Sequence, residues 1–235
     1  MIFGSGLLPQ CVCSSTHKWF TVLALLFFAG TMPAAEPPIR LDGGIVELEG
    51  DATLHGWHCE SAGAYVRIDP GFELEPVYAY LRELLQSPPD DLEEILEKIR
   101  RFQAQGVSVE IRTPVASLDC GSRGLERDLA RAVRAEKHPV IHFEFLHLED
   151  MSIRNNPAVH VLTLHTKGGL TLAGNHRRID MDVNMSLLDD GSIHMSMERD
   201  LLMTDYGVKP PTALFGLIRA RDRFSFAYEW TVKPE

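Results

Sequence analysis

Ten histidines are the first residues of this 235-residue chain whose chemistry asks for an explanation. Imidazole is a common metal ligand, and a metal site needs several donors converging on one point. His55 and His58 stand three apart in strand-like sequence, so they point to opposite faces unless a bulge intervenes. His142 and His147 differ in parity, as do His160 and His165, and only neighbouring strands would bring His147, His160 and His165 together. Solvated strand histidines are the better reading, and no metal is expected. A hydrolase would need a nucleophile beside a base and an orienting acid. The chain has no G-x-S-x-G, and its serines fall in turns or at the polar positions of strands. Asp205-Tyr206 reads as a turn, with Gly207 supplying a positive φ, and Gly168-Gly169 lacks the helix that would cradle a phosphate. Arg219, Arg221 and Arg223 suit an anionic headgroup or, as the better reading, a charged rim that discourages edge pairing. No catalytic residue and no cofactor is expected, and the chain is not read as an enzyme.

The four cysteines divide by position. Cys11 and Cys13 precede an apolar run, WFTVLALLFFAG, that follows Lys18 and ends in small residues near Ala34-Ala35. This pattern predicts a signal peptide over 1–35 and a periplasmic or secreted domain over 36–235. A retained anchor is the lesser alternative, because a span needs ~20 apolar residues. Cys59 and Cys120 remain after export, and an oxidising compartment makes them a disulfide pair, the alternative being two separate buried thiols. The bridge would close a loop of ~60 residues and contribute roughly 4 kcal/mol. The net charge of −10 argues against nucleic acid, whose phosphates require clustered Lys and Arg.

The elements that must position these residues are mostly strands. Leu118–Phe145 forms the centre: a Gly-rich turn with Cys120, then a short helix with Leu125, Leu129, Ala132 and Val133 on one stripe. His138-Pro139 ends that helix, and Ile141, Phe143 and Phe145 then alternate in the HPVIHF strand. A phase break at Phe145-Leu146 predicts a bulge. Short strands over 43–49, 53–61 and 64–69 precede this stretch, with Leu54, Trp57 and Cys59 on or near the inward side. Val107, Val109 and Ile111 alternate, and later runs keep period two through Met181, Val183 and Met185, through Met195 and Met197, and through Phe224, Phe226, Tyr228 and Trp230. Such alternation means an antiparallel sheet buried on one face. About eight such strands remove their edges by closing into a barrel.

One segment breaks the pattern. Glu73–Gln105 carries two apolar stripes at helical spacing, interrupted at Pro88-Pro89, with eight acids and four bases. It reads as an inserted helical hairpin packed on the barrel wall, with a lid over a cavity mouth or a surface for a protein partner as alternatives. Because the β pattern resumes in phase at Val107, the hairpin is expected to be dispensable for folding.

Four motifs in order carry a resemblance. They are GGLTLAGNHRRIDMDV (Gly168–Val183); His138-Pro139 with Ile141 and Phe143; Thr204-Asp205-Tyr206-Gly207-Val208; and Leu54-His55-Gly56-Trp57. Together they resemble the YceI-like family, the lipid- or polyisoprenoid-binding proteins of bacterial periplasms. The resemblance implies a lipocalin-like antiparallel barrel holding a long apolar chain, and no catalytic residues. The helical insert departs from the family's ordinary pattern, and the cysteine pair belongs to only some members.

The expected lumen consists of the inward strand positions Phe143, Phe145, Leu170, Leu172, Met181, Val183, Met185, Met195, Met197, Phe224, Phe226, Tyr228 and Trp230. Methionine adapts to a chain-like ligand, yet the same face would equally fill a solid core. The function expected is binding, sequestration or transport of a polyisoprenoid, an isoprenoid quinone or a fatty-acyl lipid. The alternatives are a solid-cored interaction module using the acidic insert and, behind it, a hydrolase or metal-binding protein. A homodimer is left open.

Overall fold

Long alternating strands dominate the computed structural model, which describes residues 39–69, 73–89, 91–104, 106–155, 160–213 and 218–232. The expected signal peptide lies outside them. The strands are β1 (Ile39–Ala52), β2 (Trp57–Asp69), β3 (Ser108–Pro114), β4 (Val140–Asn155), β5 (His160–Leu172), β6 (Asn175–Leu187), β7 (Ile193–Leu202), β8 (Thr212–Ala213) and β9 (Ile218–Val232). Each of β1 to β7 pairs antiparallel with the next, β7 pairs with β9, and β9 returns to β1. Eight strands therefore close into a barrel, as the alternation predicts, while the two-residue β8 pairs only with the start of β9. Along β9, Phe224, Phe226 and Tyr228 are buried and Ser225, Ala227 and Glu229 face outward.

Two irregularities keep the inward face apolar along β4. Its register against β5 shifts between Phe145 and His147, the bulge the sequence predicts, and again between Leu148 and Asp150. Phe143 lies opposite Leu170, Leu148 opposite Thr166 and Met151 opposite Leu164, all directed inward. Without these shifts His147 and Glu149 would take the inward positions in the middle of the strand in place of Leu148. Leu54 departs from expectation: it sits in the β1–β2 turn and is 70% exposed.

The insert forms α1 (Leu74–Gln86) and α2 (Glu93–Gln103), broken at Pro88-Pro89 as expected. The Asp91 carboxylate accepts the Glu93 N–H at 2.9 Å. The helices do not lie on the outer wall. Tyr78, Leu84, Leu85, Ile95 and Leu96 are buried in the same apolar cluster as the inward residues Leu162, Met185 and Ile193. The Tyr78 hydroxyl donates to the Gly191 carbonyl in the β6–β7 turn, and Arg100 donates to the Glu149 carbonyl at 2.5 Å. The outer faces of these strands are polar: Thr163 donates to Asn184, and His165 bonds Asp182, each at 2.8 Å. An amphipathic hairpin buries its stripe where apolar partners are, which is the open end of the barrel.

The opposite end is covered by α3 (Arg123–Ala132). Ser122 caps it, its hydroxyl accepting the Leu125 N–H at 3.2 Å. The helix stops short of His138-Pro139, because Arg134 takes a left-handed φ of 57°. Cys120, just before α3, is disulfide-bonded to Cys59 on β2. Beside the bridge, Glu60 and Asp119 exchange backbone hydrogen bonds of 2.9 and 2.8 Å. Beyond the helix, Arg134 donates to the Ala173 carbonyl and the His138 ring lies over Gly174. Ala173 and Gly174 both have positive φ, at 53° and 79°, which a two-residue β5–β6 hairpin turn requires. A Cβ at position 174 would run into the His138 ring. The covering helix is thus held covalently at its start and by side-chain contacts after its end. No helix among the described residues is long and apolar enough to cross a membrane.

Candidate functional site

Under α3 the barrel interior is hollow. The cavity has a volume of about 330 Å³, near the lower end of the ~300–1,000 Å³ usual for small-ligand pockets. Its roof is the α3 stripe of Leu125, Leu129, Ala132 and Val133. Its walls are Leu48, Ile141, Leu170, Leu172, Phe224 and Phe226 from the strands, with Met203 and Val208 from the segment that follows β7. Polar groups are confined to His55, Ser122, Asp128 and Thr212. Trp57 completes the wall, its ring packed over Gly50, where a side chain would collide with it. The Trp57 indole nitrogen meets no protein acceptor.

Of the thirteen inward positions read from the sequence, the structure brings Leu170, Leu172, Phe224 and Phe226 together around this cavity. Phe143, Met181, Val183, Met185, Met197 and Tyr228 are buried in the same barrel without lining it. Phe145, Met195 and Trp230 are partly buried against the core. Gly168 helps close the middle of the barrel, because its missing side chain lets the Phe143 ring pass. The lining from α3 shows in the sequence as an amphipathic stripe, a pattern that does not distinguish a pocket roof from a packed helix. The contributions of Met203, Val208, Pro211 and Thr212 have no periodic signal, since they come from connecting segments.

Two buried phenols mark the interior. Burial, with a smaller push from Asp205, raises the Tyr206 pKa to about 12, and burial alone raises that of Tyr228. Neither hydroxyl meets a protein hydrogen-bond partner. On the outer wall, Glu47, Glu49 and His58 bring one donor atom each within 4.8 Å of one another. They are the one group of three or more His, Cys, Asp or Glu side chains so placed among the described residues. The His58 ring bonds Glu49 at 3.1 Å. His147, His160 and His165 do not form such a group. His147 lies 3.8 Å from Glu149, and His165 bonds Asp182 and Ser152.

A sequence model of the YceI-like domain matches residues 94–229. Comparison with curated protein sequences finds no match. Among solved structures, BcnA of Burkholderia cenocepacia is similar at a TM-score of 0.51 and 11% identity, over 81% of this chain and 96% of that one. A polyisoprenoid binding domain from Saccharophagus degradans gives 0.46 and 10%, over 81% and 97%. A YceI protein of Campylobacter jejuni gives 0.41 and 19%, over 55% and 72%. At these identities the likeness to BcnA is one of fold.

Proposed function

The chain belongs to the YceI-like family, and from that premise we propose that it is an exported carrier or sequestering protein for a long apolar chain. A polyisoprenoid, an isoprenoid quinone or a fatty-acyl lipid fits the chemistry. The observation that carries this reading is the cavity of about 330 Å³ under α3, walled by aliphatic and aromatic side chains. Burying a hydrocarbon yields roughly 0.8 kcal/mol per methylene before the costs of association, so micromolar affinity needs no charged contact. The cavity accommodates a segment of a long chain, and Met181, Met185 and Met197 lie deeper in the barrel. Their flexible thioethers are the side chains best able to make way for more of it. The paired Cys59 and Cys120 suit an oxidising compartment, in keeping with a leader over 1–35 and a periplasmic or secreted location. No catalytic role is assigned to any residue.

The test is native mass spectrometry of protein expressed with its leader and purified without detergent, followed by lipid extraction. The expected result is a bound species of lipid mass that is absent from a Leu129→Trp variant. Recovery of the same species from both proteins would place the ligand elsewhere, and a protein that neither retains nor takes up any apolar chain would end the carrier reading.

A further inference from the structure

The cavity does not end at α3. An open groove of about 990 Å³ adjoins it, and the two share Asp128, Ala132, Pro211, Thr212 and Ala220 as lining. The groove is chemically unlike the cavity. Its other residues include Lys209, Arg131, Arg219 and Arg221, four cations around one opening in a chain whose net charge is −10.

The pairing of these charges separates them into two kinds. Arg131 is bonded to Asp128 at 3.0 Å. The other acid in the groove, Asp222, accepts the Thr204 N–H at 2.9 Å and the Thr204 hydroxyl at 2.6 Å. Both acids are therefore engaged. The side chains of Lys209, Arg219 and Arg221 make no ion pair among the described residues. Some cations elsewhere have acids, as Arg67 has Asp69, Lys98 has Glu94, Arg112 has Glu110 and Lys167 has Asp180, but here three unpaired ones line a single opening. The position of the unpaired three is fixed by backbone. Thr53 at the end of β1 donates its N–H to the Arg219 carbonyl at 3.0 Å, and its hydroxyl accepts the Arg219 N–H at 3.1 Å. Arg219 and Arg221 flank Ala220, whose own side chain lines the cavity. Lys209 opens the Lys209-Pro210-Pro211 segment, and the Pro211 carbonyl accepts the Ala220 N–H at 3.0 Å.

We propose that the groove is the headgroup half of a single amphiphile site whose apolar half is the cavity, and that the ligand class is an amphiphile with an anionic head. The inference rests on the reading of the cavity as an apolar-chain site. A carboxylate or phosphate standing over Ala220 meets the three cations while its tail passes beneath α3. Each exposed charge contributes modestly and is screened by salt, so three together give a preference on the order of tenfold over a neutral head. The cations then select among apolar ligands: a fatty acid or a prenyl phosphate is held, and a quinone or free alcohol gains nothing from them.

The test displaces a neutral fluorescent ligand, 1-aminoanthracene, from the full mature domain with dodecanoate, dodecyl phosphate and dodecan-1-ol. The two anions should displace it at about tenfold lower concentration than the alcohol. In the triple variant Lys209→Gln/Arg219→Gln/Arg221→Gln that advantage should fall to about twofold with the alcohol unchanged, and 0.5 M NaCl should narrow it in the parent. Inorganic phosphate titrated alone should show no comparable affinity. Equal displacement by acid and alcohol in the parent overturns the proposal, as does an anionic advantage that survives the triple substitution. Inorganic phosphate binding as tightly as dodecyl phosphate also overturns it, since the site would then be a free-anion site without a tail. If the alcohol and both anions all fail to displace the dye, the cavity reading itself has failed.

Discussion

The two ends of this barrel are closed by helices of similar length, which bury very different amounts of side chain. At the insert end, Tyr78, Leu84, Leu85, Ile95 and Leu96 are buried in one cluster with Leu162, Met185 and Ile193. At the α3 end, the roof of Leu125, Leu129, Ala132 and Val133 leaves about 330 Å³ beneath it. The means of attachment differ too. The insert is held by burial and a few hydrogen bonds, whereas α3 is anchored by the Cys59–Cys120 bond and by the contacts of Arg134 and His138 with the β5–β6 turn. A helix that buries large side chains is held by the burial itself. A helix spanning a void lacks that packing and needs other anchors. The comparison teaches that the insert is a plug and α3 is a roof.

The largest test of this contrast is deletion of Glu73–Gln105 with a short Gly/Ser bridge. The clean resumption of β pattern at Val107 suggested that the barrel would fold without it. Burial of five large side chains in the common core reverses that expectation: at roughly 1.5–3 kcal/mol each, their loss rivals the whole stability of an ordinary domain, ~5–15 kcal/mol. Urea unfolding should show no cooperative native transition, and one near the parent midpoint would demote the plug to an ornament. Next in size is the pair Cys59→Ala/Cys120→Ala, which should lose about 4 kcal/mol and weaken ligand uptake, because the roof loses its anchor. Unfolding curves superimposable with and without reductant would deny the bridge any such role.

Paired tryptophans sharpen the contrast between the ends. Leu129→Trp fills the space under α3 and should abolish uptake of an apolar chain while the barrel remains folded. Met185 is buried away from the cavity lining, so Met185→Trp should overpack the core at about 1–3 kcal/mol and leave uptake by the cavity nearly intact. Binding titrations and melting curves on both variants would show the roles exchanged if the deep half, and not the roofed half, is the ligand site. The smallest effect concerns Tyr206. Its phenol is neutral and its pKa is raised to about 12 in the folded chain, against 10 for an ordinary phenol. The native state therefore holds the proton more tightly, and this contribution is full below pH 10 and lost as pH rises towards 12. Tyr206→Phe should change stability by less than ~1 kcal/mol near neutrality, since the hydroxyl has no protein partner, and should flatten the decline in melting temperature between pH 10 and 12.

Much of the barrel was legible because its signal is local and repeated. The alternation of β6, β7 and β9 states which face is inward without reference to any other strand, and the bulge at Phe145 showed as a break in phase. The cavity was not legible in the same way. Period two assigns a face but says nothing about depth along the barrel, so Met185 and Leu172 looked equivalent although they stand at opposite ends. Depth depends on strand register and on which helix covers which opening. That is decided by long-range facts such as the Cys59–Cys120 bond and the polarity of the outer wall around His165 and Asp182. The apolar stripe of α3 was plain in the sequence. That the space beneath it stays open was not.

Closure of the barrel through β1 and β9 has a practical consequence. The start of β1 and the end of β9 lie side by side at the insert end, the far end from the cavity and its basic groove. A reporter, tag or surface linker attached just before β1 or just after β9 leaves that opening facing free solution. Joining the two termini and cutting in the exposed turn around Leu54 would give a permuted barrel in which the new ends flank the opening, where a fused sensor would register each arrival of a ligand.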